Sequence, residues 1–434
     1  MEINIAKYPE KKLWDELCKR PQKETGEVLS VVKEVFEKIK SGGDDAIKAY
    51  TKQFDKAEIE VLIVSSSEIE IALNNIDPKL KDAIILASSN IKSFHEKQRI
   101  PELKVETMIG VECWRRQMPI NNVGLYIPGG TAPLFSTVLM LGIPAVLAGC
   151  KNIALFSPPN SDGKLPDSIL AAASICGIEN IYKVGGIQAV AAMALGTETI
   201  EKVDKIFGPG NQYVTSAKQY AQQNGVAIDM PAGPSEVLVI ADKSANPEFI
   251  AADLISQAEH GVDSQVILVT WDEGIVDKTQ TALENQLQTL PRGDMAVASL
   301  KNSQVILVKD EREAIAFSNH YAPEHLIINC EGAELIADKI TDAGSVFIGQ
   351  YTPESAGDYA SGTNHTLPTS GYAKSYSGVS LDSYMKNITY QKITKEGLKS
   401  IGPAIETMAA AEQLEGHAQA VTLRLKQIKM EETL

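Results

Sequence analysis

The sequence predicts an α/β protein with two parallel sheets. Short apolar strands alternate with helices from Val123 to Ile348, and the pattern restarts near Gly233. Glycines stand at three strand-to-helix junctions: Gly129–Gly130, Gly185–Gly186 and Gly208–Gly210. Such alternation is typical of parallel strands joined by crossover helices. We therefore expect two incomplete Rossmann-like domains in tandem, with small helical segments at the N-terminus and the C-terminus.

Helices dominate the chain before residue 123. The predicted elements are a helical lead-in at 12–19, helices at 28–40 and 44–54, a strand at 59–64, a helix from 78 to about 98, and a hairpin of strands 103–108 and 111–118. The glycine pair after Ser41 is a stop signal between two helices. Pro78 suits a first helical turn, where its missing N–H would have no partner.

The two α/β units follow the same alternation. In the first, strands are predicted at 123–127, 153–157, 181–184, 205–207 and 226–230, with helices at 134–148, 168–176, 187–195 and 212–222. In the second, strands are predicted at 236–241, 265–270, 304–308, 326–329 and 345–348, with helices at 247–260, 276–290, 311–319 and 333–341. The two units are similar in topology, without a repeat in sequence.

The last part of the chain is predicted to hold a loop and a helical tail. Residues 351–380 are rich in Gly, Ser, Thr and Tyr and predict a long ordered loop, which in a compact protein usually has a function. Helices are predicted at 395–401, 405–414 and 417–429. Their apolar stripes are too few to form a core, so the tail must pack on the rest of the chain or on a second subunit.

We predict four parts. These are an N-terminal helical segment (1–24), a first α/β domain (25–125 and 234–380), a second α/β domain (126–233) and a C-terminal helical tail (381–434). The first domain contains the α/β unit that comes later in the chain, and we expect it to carry most of the functional site.

Composition excludes several classes of function. The 434 residues have a net charge of −15 and no dense Lys/Arg cluster, which disfavours a nucleic-acid partner. The first residues lack the layout of a signal peptide, and no apolar run is long enough to span a membrane. The five cysteines are widely spaced, with no CxxC. This usage fits a reducing cytoplasm and argues against disulfides or a cysteine zinc site.

The stretch Asn319–His325 holds two of the six histidines and places Glu324 beside His325. A carboxylate and an imidazole can divide acid–base work because their ordinary pKa values bracket mildly acidic to neutral pH. Pro323 disfavours a right-handed helix at Ala322, so the backbone that presents the pair should be stiff. The alternative is a solvated connection between a helix and a strand.

A scattered set of side chains could bind a metal ion. Gln257 and His260 are three apart, and we expect them on one face near the end of a helix that Gly261 terminates. Asp358 lies in the Gly-rich loop and His417 in the tail. These nitrogen and oxygen ligands suit zinc, and also Mn or Co. Ordinary surface or core polar residues are the alternative, because there is no HExxH.

Several strings resemble those of histidinol dehydrogenases over essentially the full length. They are VGLYIPGGTAPLFSTVLM (123–140), GPGNQYV (208–214), DMPAGPSE (229–236), DLISQAEH (253–260), YAPEHL (321–326), GTNHTLPT (362–369) and EGHA (415–418). The resemblance implies oxidation of L-histidinol to L-histidine through L-histidinal, with two NAD reduced in sequence.

The resemblance also implies roles for individual residues. Gln257, His260, Asp358 and His417 match the zinc ligands, one ion per subunit, and Glu324 and His325 match the catalytic pair. Ser235, His365 and Glu412 match substrate-binding positions, which also include the four ligands and His325. Tyr126, Gln188 and Asn211 match positions that hold NAD. A homodimer is implied in which each tail crosses to complete the partner's site, whereas sequence alone also allows a tail that folds back.

On this reading the zinc ion positions the substrate, and His325 accepts a proton in both oxidations. Glu324 activates the water that attacks the aldehyde, while the 351–380 loop keeps the site closed. NAD is expected to bind loosely at the three glycine turns, although there is no GxGxxG.

Two other classes of function remain open on the residues alone. A zinc hydrolase would use the same ligands and acid–base pair to activate water on an amide or ester. A non-catalytic binder of small imidazoles would use the α/β units as a scaffold. NADH formation from histidinol and NAD separates the dehydrogenase from both.

Overall fold

The computed structural model describes residues 3–21, 25–129, 133–231 and 233–433. These residues form two compact units, one of residues 1–98 with 120–384 and the other of residues 99–119 with 385–434. The larger unit holds both parallel sheets. The four domain boundaries that we expect from the sequence stay a prediction.

The N-terminal region differs from the prediction in three places, one of which is a helix at Ser66–Asn75 that was not predicted. Its elements are β1 (Asn4–Lys7), α1 (Trp14–Leu17), α2 (Thr25–Phe54), α3 (Ser66–Asn75) and α4 (Pro78–Glu96). The predicted helical lead-in is present as α1, and strand β1 before it was not predicted. Residues 59–64, all of them described, form only an isolated bridge from Ile63 to Tyr182, so the strand predicted there was wrong.

The predicted break between two helices is present inside α2. Gly43 has φ 49° and ψ −134°, a conformation that glycine adopts readily and that interrupts the helical backbone. Helix α4 begins at Pro78 as expected, and the Asp77 side chain accepts hydrogen bonds from the backbone N–H groups of Lys79 and Leu80. The hairpin that follows, β2 (Lys104–Met108) and β3 (Val111–Pro119), is also confirmed.

The first parallel sheet has five strands. Its elements are β4 (Asn122–Tyr126), α5 (Phe135–Ala148), β5 (Asn152–Ser157), α6 (Asp167–Cys176), β6 (Asn180–Lys183), α7 (Gly186–Leu195), β7 (Lys205–Phe207), α8 (Gln212–Gln223) and β8 (Ala227–Ile228). The strand order is β6-β5-β4-β7-β8, and every pair is parallel. Every predicted strand and helix of this unit is therefore present.

The second parallel sheet has six strands. Its elements begin with β9 (Glu236–Ala241), α9 (Pro247–Ala258), β10 (Gln265–Thr270), α10 (Glu273–Leu287), α11 (Gly293–Leu300) and β11 (Gln304–Leu307). They continue with α12 (Glu311–Tyr321), β12 (His325–Asn329), α13 (Ala333–Ala337), β13 (Ser345–Ile348) and α14 (Glu354–Tyr359). Helices α11 and α14 were not predicted. The strand order is β1-β11-β10-β9-β12-β13.

Both sheets have the same topology. Numbered from the first strand of each α/β unit, both read 3-2-1-4-5, and β1 adds a sixth strand beside β11. This order is that of a Rossmann half-fold, with a switch point between strands 1 and 4. The duplication expected from the alternation is thus confirmed at the level of topology.

The central strands of the second sheet are buried on both faces. Val237 and Val239 pack against the side that holds α9 to α11, whereas Leu238 and Ile240 pack against α12, α13 and Trp14. Successive side chains of a strand point to opposite faces, and helices cover both faces here. The apolar runs in the sequence are therefore the signature of a sheet between two helical layers.

The smaller unit consists of a three-stranded antiparallel sheet and a helical pair. Its tail elements are β14 (Met385–Ile393), α15 (Lys395–Ala411) and α16 (Glu415–Thr433). Strand β14, which pairs with β3, was not predicted, and α15 continues through Pro403 where two helices were expected. In the described ranges, no helix is long and apolar enough to cross a membrane.

Candidate active site

A cavity of about 250 Å³ lies between the edges of the two parallel sheets. Ser235, Ser264 and His325 line it at the amino ends of β9, β10 and β12, while Pro128 and Asn211 line it after the carboxyl ends of β4 and β7. Gln257, His260, Glu324, Asp358 and His365 complete the polar part of the wall. The larger unit thus brings together eight of the predicted site residues, counted here as Ser235, Gln257, His260, Glu324, His325, Asp358, His365 and Asn211.

The backbone before Glu324 and His325 is held in an uncommon conformation. Helix α12 ends at Tyr321, and Ala322 has φ 53° and ψ 67°, in the left-handed region. The expected departure of Ala322 from the right-handed helix is confirmed. A left-handed alanine costs free energy and persists only where its surroundings impose it. The N–H groups of Gly344 and Ser345 donate to the carbonyls of Pro323 and Glu324, which fixes this segment.

The main chain of Glu236 contacts both members of the acid–base pair. Its N–H donates to Oε2 of Glu324 over 2.8 Å, and its carbonyl oxygen lies 3.0 Å from Nδ1 of His325. A proton on Nδ1 is donated to that carbonyl and leaves the lone pair on Nε2. Among the described residues, Nε2 of His325 has no hydrogen-bond partner, and its nearest carboxylate oxygen, from Asp358, is 3.6 Å away.

A partly buried arginine, Arg20, anchors Glu236, and sequence reasoning missed it. The Arg20 guanidinium donates to both carboxylate oxygens of Glu236 over 3.0 and 3.2 Å, and it also donates to the carbonyl of Tyr321. It stacks on the Tyr321 ring at 3.7 Å. A buried carboxylate needs such a partner. No local pattern signals this pair, because 216 residues separate its members.

The predicted metal ligands of the larger unit converge, although not as we expected. Gln257 lies in α9, but that helix ends at Ala258, so His260 occupies the turn beyond it and Gly261 is not the helix cap. The His260 ring is exposed on the cavity wall, and Asp358 comes from α14. The placement of Gln257 and His260 on one helical face was therefore wrong.

A further carboxylate, Glu354, joins this group. Nitrogen and oxygen atoms of His325, Glu354 and Asp358 lie within 4.8 Å of one another and could hold a metal ion. Nε2 of Gln257 donates to Oε1 of Glu354 over 2.5 Å, and Oε1 of Gln257 is buried without a partner within the described ranges. An unpaired buried carbonyl oxygen and an unpaired imidazole nitrogen beside carboxylates fit a cation with nitrogen and oxygen ligands.

The charges of the site shift one another's pKa values. Burial by itself would lower the pKa of His325, but the carboxylates of Glu324, Glu354 and Asp358 raise it well above its usual value. Burial raises the pKa of Glu324, and His325 partly offsets the increase. The pKa of Asp358 is held well below its usual range, against the effect of burial, by His325, His365 and His260. The cluster therefore carries negative charge that an imidazolium or a metal ion would neutralise.

His365 is held beside Asp358 from two sides. Its Nδ1 lies 3.0 Å from the carbonyl oxygen of Asp358, and its Nε2 lies 3.2 Å from Oγ1 of Thr137. Burial lowers the pKa of His365. Ser235 lines the same cavity directly before β9, where a substrate-binding role is predicted.

The three predicted NAD residues lie after strands of the five-stranded sheet. Tyr126 ends β4, and its hydroxyl accepts a hydrogen bond from the N–H of Gly186 over 3.2 Å. Gln188 is buried in α7, and its Nε2 lies 3.4 Å from Oδ2 of Asp55. Asn211 caps α8 and lines the cavity. The turns at Gly129, Gly185 and Gly208 share this edge, as expected, while Gly130 lies outside the described residues.

The remaining two predicted site residues belong to the smaller unit. Glu412 directly follows α15, and His417 lies in the first turn of α16. Both side chains are exposed in the single chain. Their roles stay predictions.

The chain is similar to known proteins over nearly its full length. The histidinol dehydrogenase family model matches residues 18–425. Histidinol dehydrogenase of Bacteroides fragilis is 56% identical over 427 residues, which cover 98% of this chain and 100% of that protein. Histidinol dehydrogenase of Salmonella typhimurium is 51% identical over 404 residues, which cover 93% of this chain and 92% of that one.

A solved structure is also similar. The crystal structure of histidinol dehydrogenase from Elizabethkingia anophelis is 58% identical, with a TM-score of 0.96 over 98% of this chain and 99% of that one. The family match covers far more than half of the sequence, and the solved structure is similar over nearly the full length of both chains. The chain belongs to the histidinol dehydrogenase family and is an NAD-dependent dehydrogenase.

Proposed function

We propose that this protein oxidises L-histidinol to L-histidine through L-histidinal, with two NAD reduced in sequence, in a zinc-dependent reaction. The observation that carries the proposal is one cavity that holds Nε2 of His325, the Glu324 carboxylate and Oε1 of Gln257, of which the imidazole nitrogen and the amide oxygen have no hydrogen-bond partner among the described residues. Family membership supports the substrate.

Gln257, His260 and Asp358 would hold the zinc ion together with His417 from a second copy of the chain. Bound there, zinc would supply a fixed positive charge that orients the nitrogen atoms of the substrate. The residues present fit such an ion, because their free donor atoms are nitrogen and oxygen and the neighbouring carboxylates supply negative charge.

A positive charge in the proposed metal site would favour the neutral form of His325 over the imidazolium. In the first oxidation, Nε2 of His325 would then accept the hydroxyl proton while the carbinol carbon gives up a hydride, which NAD would take. The products are the aldehyde, NADH and an imidazolium. The Glu236 carbonyl, 3.0 Å from Nδ1, keeps the ring in the tautomer that has its lone pair on Nε2. Glu324 and Asp358, each 3.6 Å from the ring, stabilise the imidazolium that forms.

In the second oxidation, Glu324 accepts a proton from water as the water oxygen adds to the aldehyde carbon. His325, after it has lost its first proton, accepts a proton from the hydrate while a second hydride leaves for a fresh NAD, which gives the carboxylate. The N–H of Glu236 holds one oxygen of Glu324 over 2.8 Å, so the other oxygen remains for the water. Ser235 and His365 would position the substrate on the cavity wall.

NAD would bind along the carboxyl edge of the five-stranded sheet, with Tyr126, Gln188 and Asn211 as contacts. Ligands of open α/β sheets bind at this edge. The protein would act in the cytoplasm as a homodimer in which each tail brings Glu412 and His417 to the other subunit.

The test is the stoichiometry of NADH. Mixing the protein with limiting L-histidinol and excess NAD should give two NADH per histidinol, measured by absorbance. Removal of metal by a chelator should abolish NADH formation, and added zinc should restore it. A single NADH per histidinol, or full activity in the metal-free protein, would contradict the proposal. Cleavage of amide or ester substrates without NAD would favour a hydrolase instead.

A further inference from the structure

We propose that Glu354 is a positioning residue that turns the carboxamide of Gln257 so that its oxygen, and not its nitrogen, faces the metal. This inference rests on the proposed zinc site. No sequence pattern singled out Glu354. The inference is that Glu354 contacts a proposed zinc ligand and does not itself bind the metal.

The first step concerns the two ends of the Gln257 carboxamide. Its oxygen can bind a cation, whereas its NH₂ group has no lone pair to offer. The two ends have nearly the same shape, so steric fit cannot choose between them. The side chain is 1% exposed, and bulk water therefore cannot compensate for a wrong orientation.

The second step identifies the group that makes the choice. The nitrogen of the carboxamide lies 2.5 Å from Oε1 of Glu354 and 3.0 Å from Nδ1 of His325. Nδ1 of His325 donates its proton to the Glu236 carbonyl and has no lone pair for the carboxamide nitrogen, so this imidazole does not select the observed orientation. Both oxygens of Glu354 accept hydrogen bonds, from Gln257 and from Ser256, so the opposite orientation of the carboxamide would press two oxygens together in a buried site. Of the two described partners of the Gln257 nitrogen, Glu354 is therefore the one that favours the observed orientation.

The third step concerns the support of Glu354 itself. Its other oxygen, Oε2, accepts a hydrogen bond from Oγ of Ser256 over 2.8 Å. Ser256 and Gln257 are adjacent on α9, so both oxygens of this 1% exposed carboxylate are bound by one helix. Glu354 opens α14, and Asp358 follows one turn later on that helix. The short helix α14 thus carries one proposed ligand and the residue that orients another.

The test measures zinc affinity on purified, metal-depleted protein by competition with a coloured chelator. Glu354→Met removes the acceptor and should weaken zinc binding about 10- to 100-fold, as the loss of other groups behind metal ligands does. Glu354→Gln retains one acceptor for Gln257 and a donor for Ser256, so its affinity should stay within about threefold of wild type. Glu334→Gln, on the exposed face of α13, controls for the loss of one negative charge.

The same substitution made in a Gln257→Glu protein separates a loss of carboxamide orientation from general damage to the metal site. A glutamate in place of Gln257 has an oxygen at each end, so it needs no orienting partner. Glu354→Met should therefore cause no loss of zinc affinity in a Gln257→Glu protein, although it does in the wild type. The visible spectrum of the cobalt-substituted protein should change in Glu354→Met and not in Glu354→Gln.

The outcomes are distinct. If Glu354→Met weakens zinc equally in both backgrounds, Glu354 is a structural residue and the inference fails. If Glu354→Gln is as damaging as Glu354→Met, Glu354 is itself a ligand and the inference also fails. Both results leave the proposed function intact as long as the wild type binds zinc and forms two NADH per histidinol. If the wild type does neither, the proposed function fails first.

Discussion

At the scale of single residues, Glu236 organises the acid–base pair through its main chain. Its N–H and carbonyl contact Glu324 and His325, and its side chain is bound by Arg20 and by the N–H of Ser370. Main-chain groups of a buried strand move little, so both partners keep their geometry during the reaction. The division of labour between Glu324 and His325 therefore depends on strand β9 as much as on the pair itself.

His325→Asn should slow both oxidations about 10²- to 10⁴-fold, because each needs a proton acceptor. Glu324→Gln should slow the oxidation of histidinal by a similar factor and spare alcohol oxidation. Single-turnover NADH formation from histidinol and from histidinal measures the two steps separately. Equal loss of both steps in Glu324→Gln would rule out a role limited to hydration.

Asp55 gives a prediction about pH. Burial raises the pKa of Asp55 from 3.8 to about 6, so its ionised form is disfavoured in the folded protein. The free-energy cost that the ionised Asp55 imposes on the folded protein is complete above pH 6 and disappears below pH 3.8. Asp55→Asn should raise the free energy of unfolding by about 1 kcal/mol at neutral pH, a figure reduced for the partial exposure of the group.

The stability that Asp55→Asn gains over wild type should shrink as the pH falls from 6 toward 3.8. Urea unfolding at several pH values measures this change. Asp45→Asn, at an exposed position of α2, the helix that Asp55 directly follows, is the matched control. A gain in Asp55→Asn that does not depend on pH would show that the charge of Asp55 is not its origin.

At the scale of elements, the turn after β7 is held by a buried ion pair. Lys218 on α8 pairs with Asp229, and both side chains bond the main chain of Gly208, the lysine to its carbonyl over 2.7 Å and the aspartate to its N–H over 2.8 Å. Gly208 has φ 130°, and a Cβ there would lie 2.1 Å from the carbonyl oxygen of Tyr126, so only glycine fits. The pair thereby fixes the loop that presents Asn211.

Lys218→Met should lower the free energy of unfolding by about 3 to 5 kcal/mol, because it leaves Asp229 buried and unpaired. Since the turn borders the proposed cofactor edge, the KM for NAD should rise more than the KM for histidinol. Lys218→Met combined with Asp229→Asn should recover part of the stability. Denaturant unfolding and steady-state kinetics measure these effects, and an equal rise in both KM values would contradict the assignment of this edge to NAD.

At the scale of the whole molecule, the smaller unit carries apolar side chains that lie in solvent in a single chain. Met408, Leu414, Leu423 and Met430 are exposed on or beside α15 and α16, close in sequence to Glu412 and His417. Exposed apolar groups of this number are typical of a surface that packs against another. This is the pattern that an exchanged tail would produce in a homodimer.

Co-expression of His417→Ala and His260→Ala chains tests the exchange. With crossed tails, one site of a mixed dimer carries both lesions and the other carries none. Activity should then recover to about one quarter of wild type, because random assortment makes half of the dimers mixed. Each variant alone should be inactive. If the mixture is also inactive, each chain completes its own site.

The sequence by itself determined the alternation of strands and helices from Val123 onward and the presence of Glu324 beside His325. These are local properties, since apolar periodicity and glycine or proline signals act within a few residues. The same reasoning missed β1, β14 and the arginine that binds Glu236, because each depends on a partner far along the chain. It also predicted a strand at 59–64 from apolar residues that pack as irregular chain.

Only the tertiary structure decided how the site is assembled. The cavity joins the carboxyl ends of one sheet to the amino ends of the other, and α14 brings Glu354 against Gln257, 97 residues earlier. Strand order, sheet placement and the orientation of a buried carboxamide depend on packing and on hydrogen bonds between distant segments. Such interactions leave no periodic trace in the sequence, and they become visible only when the chain is folded.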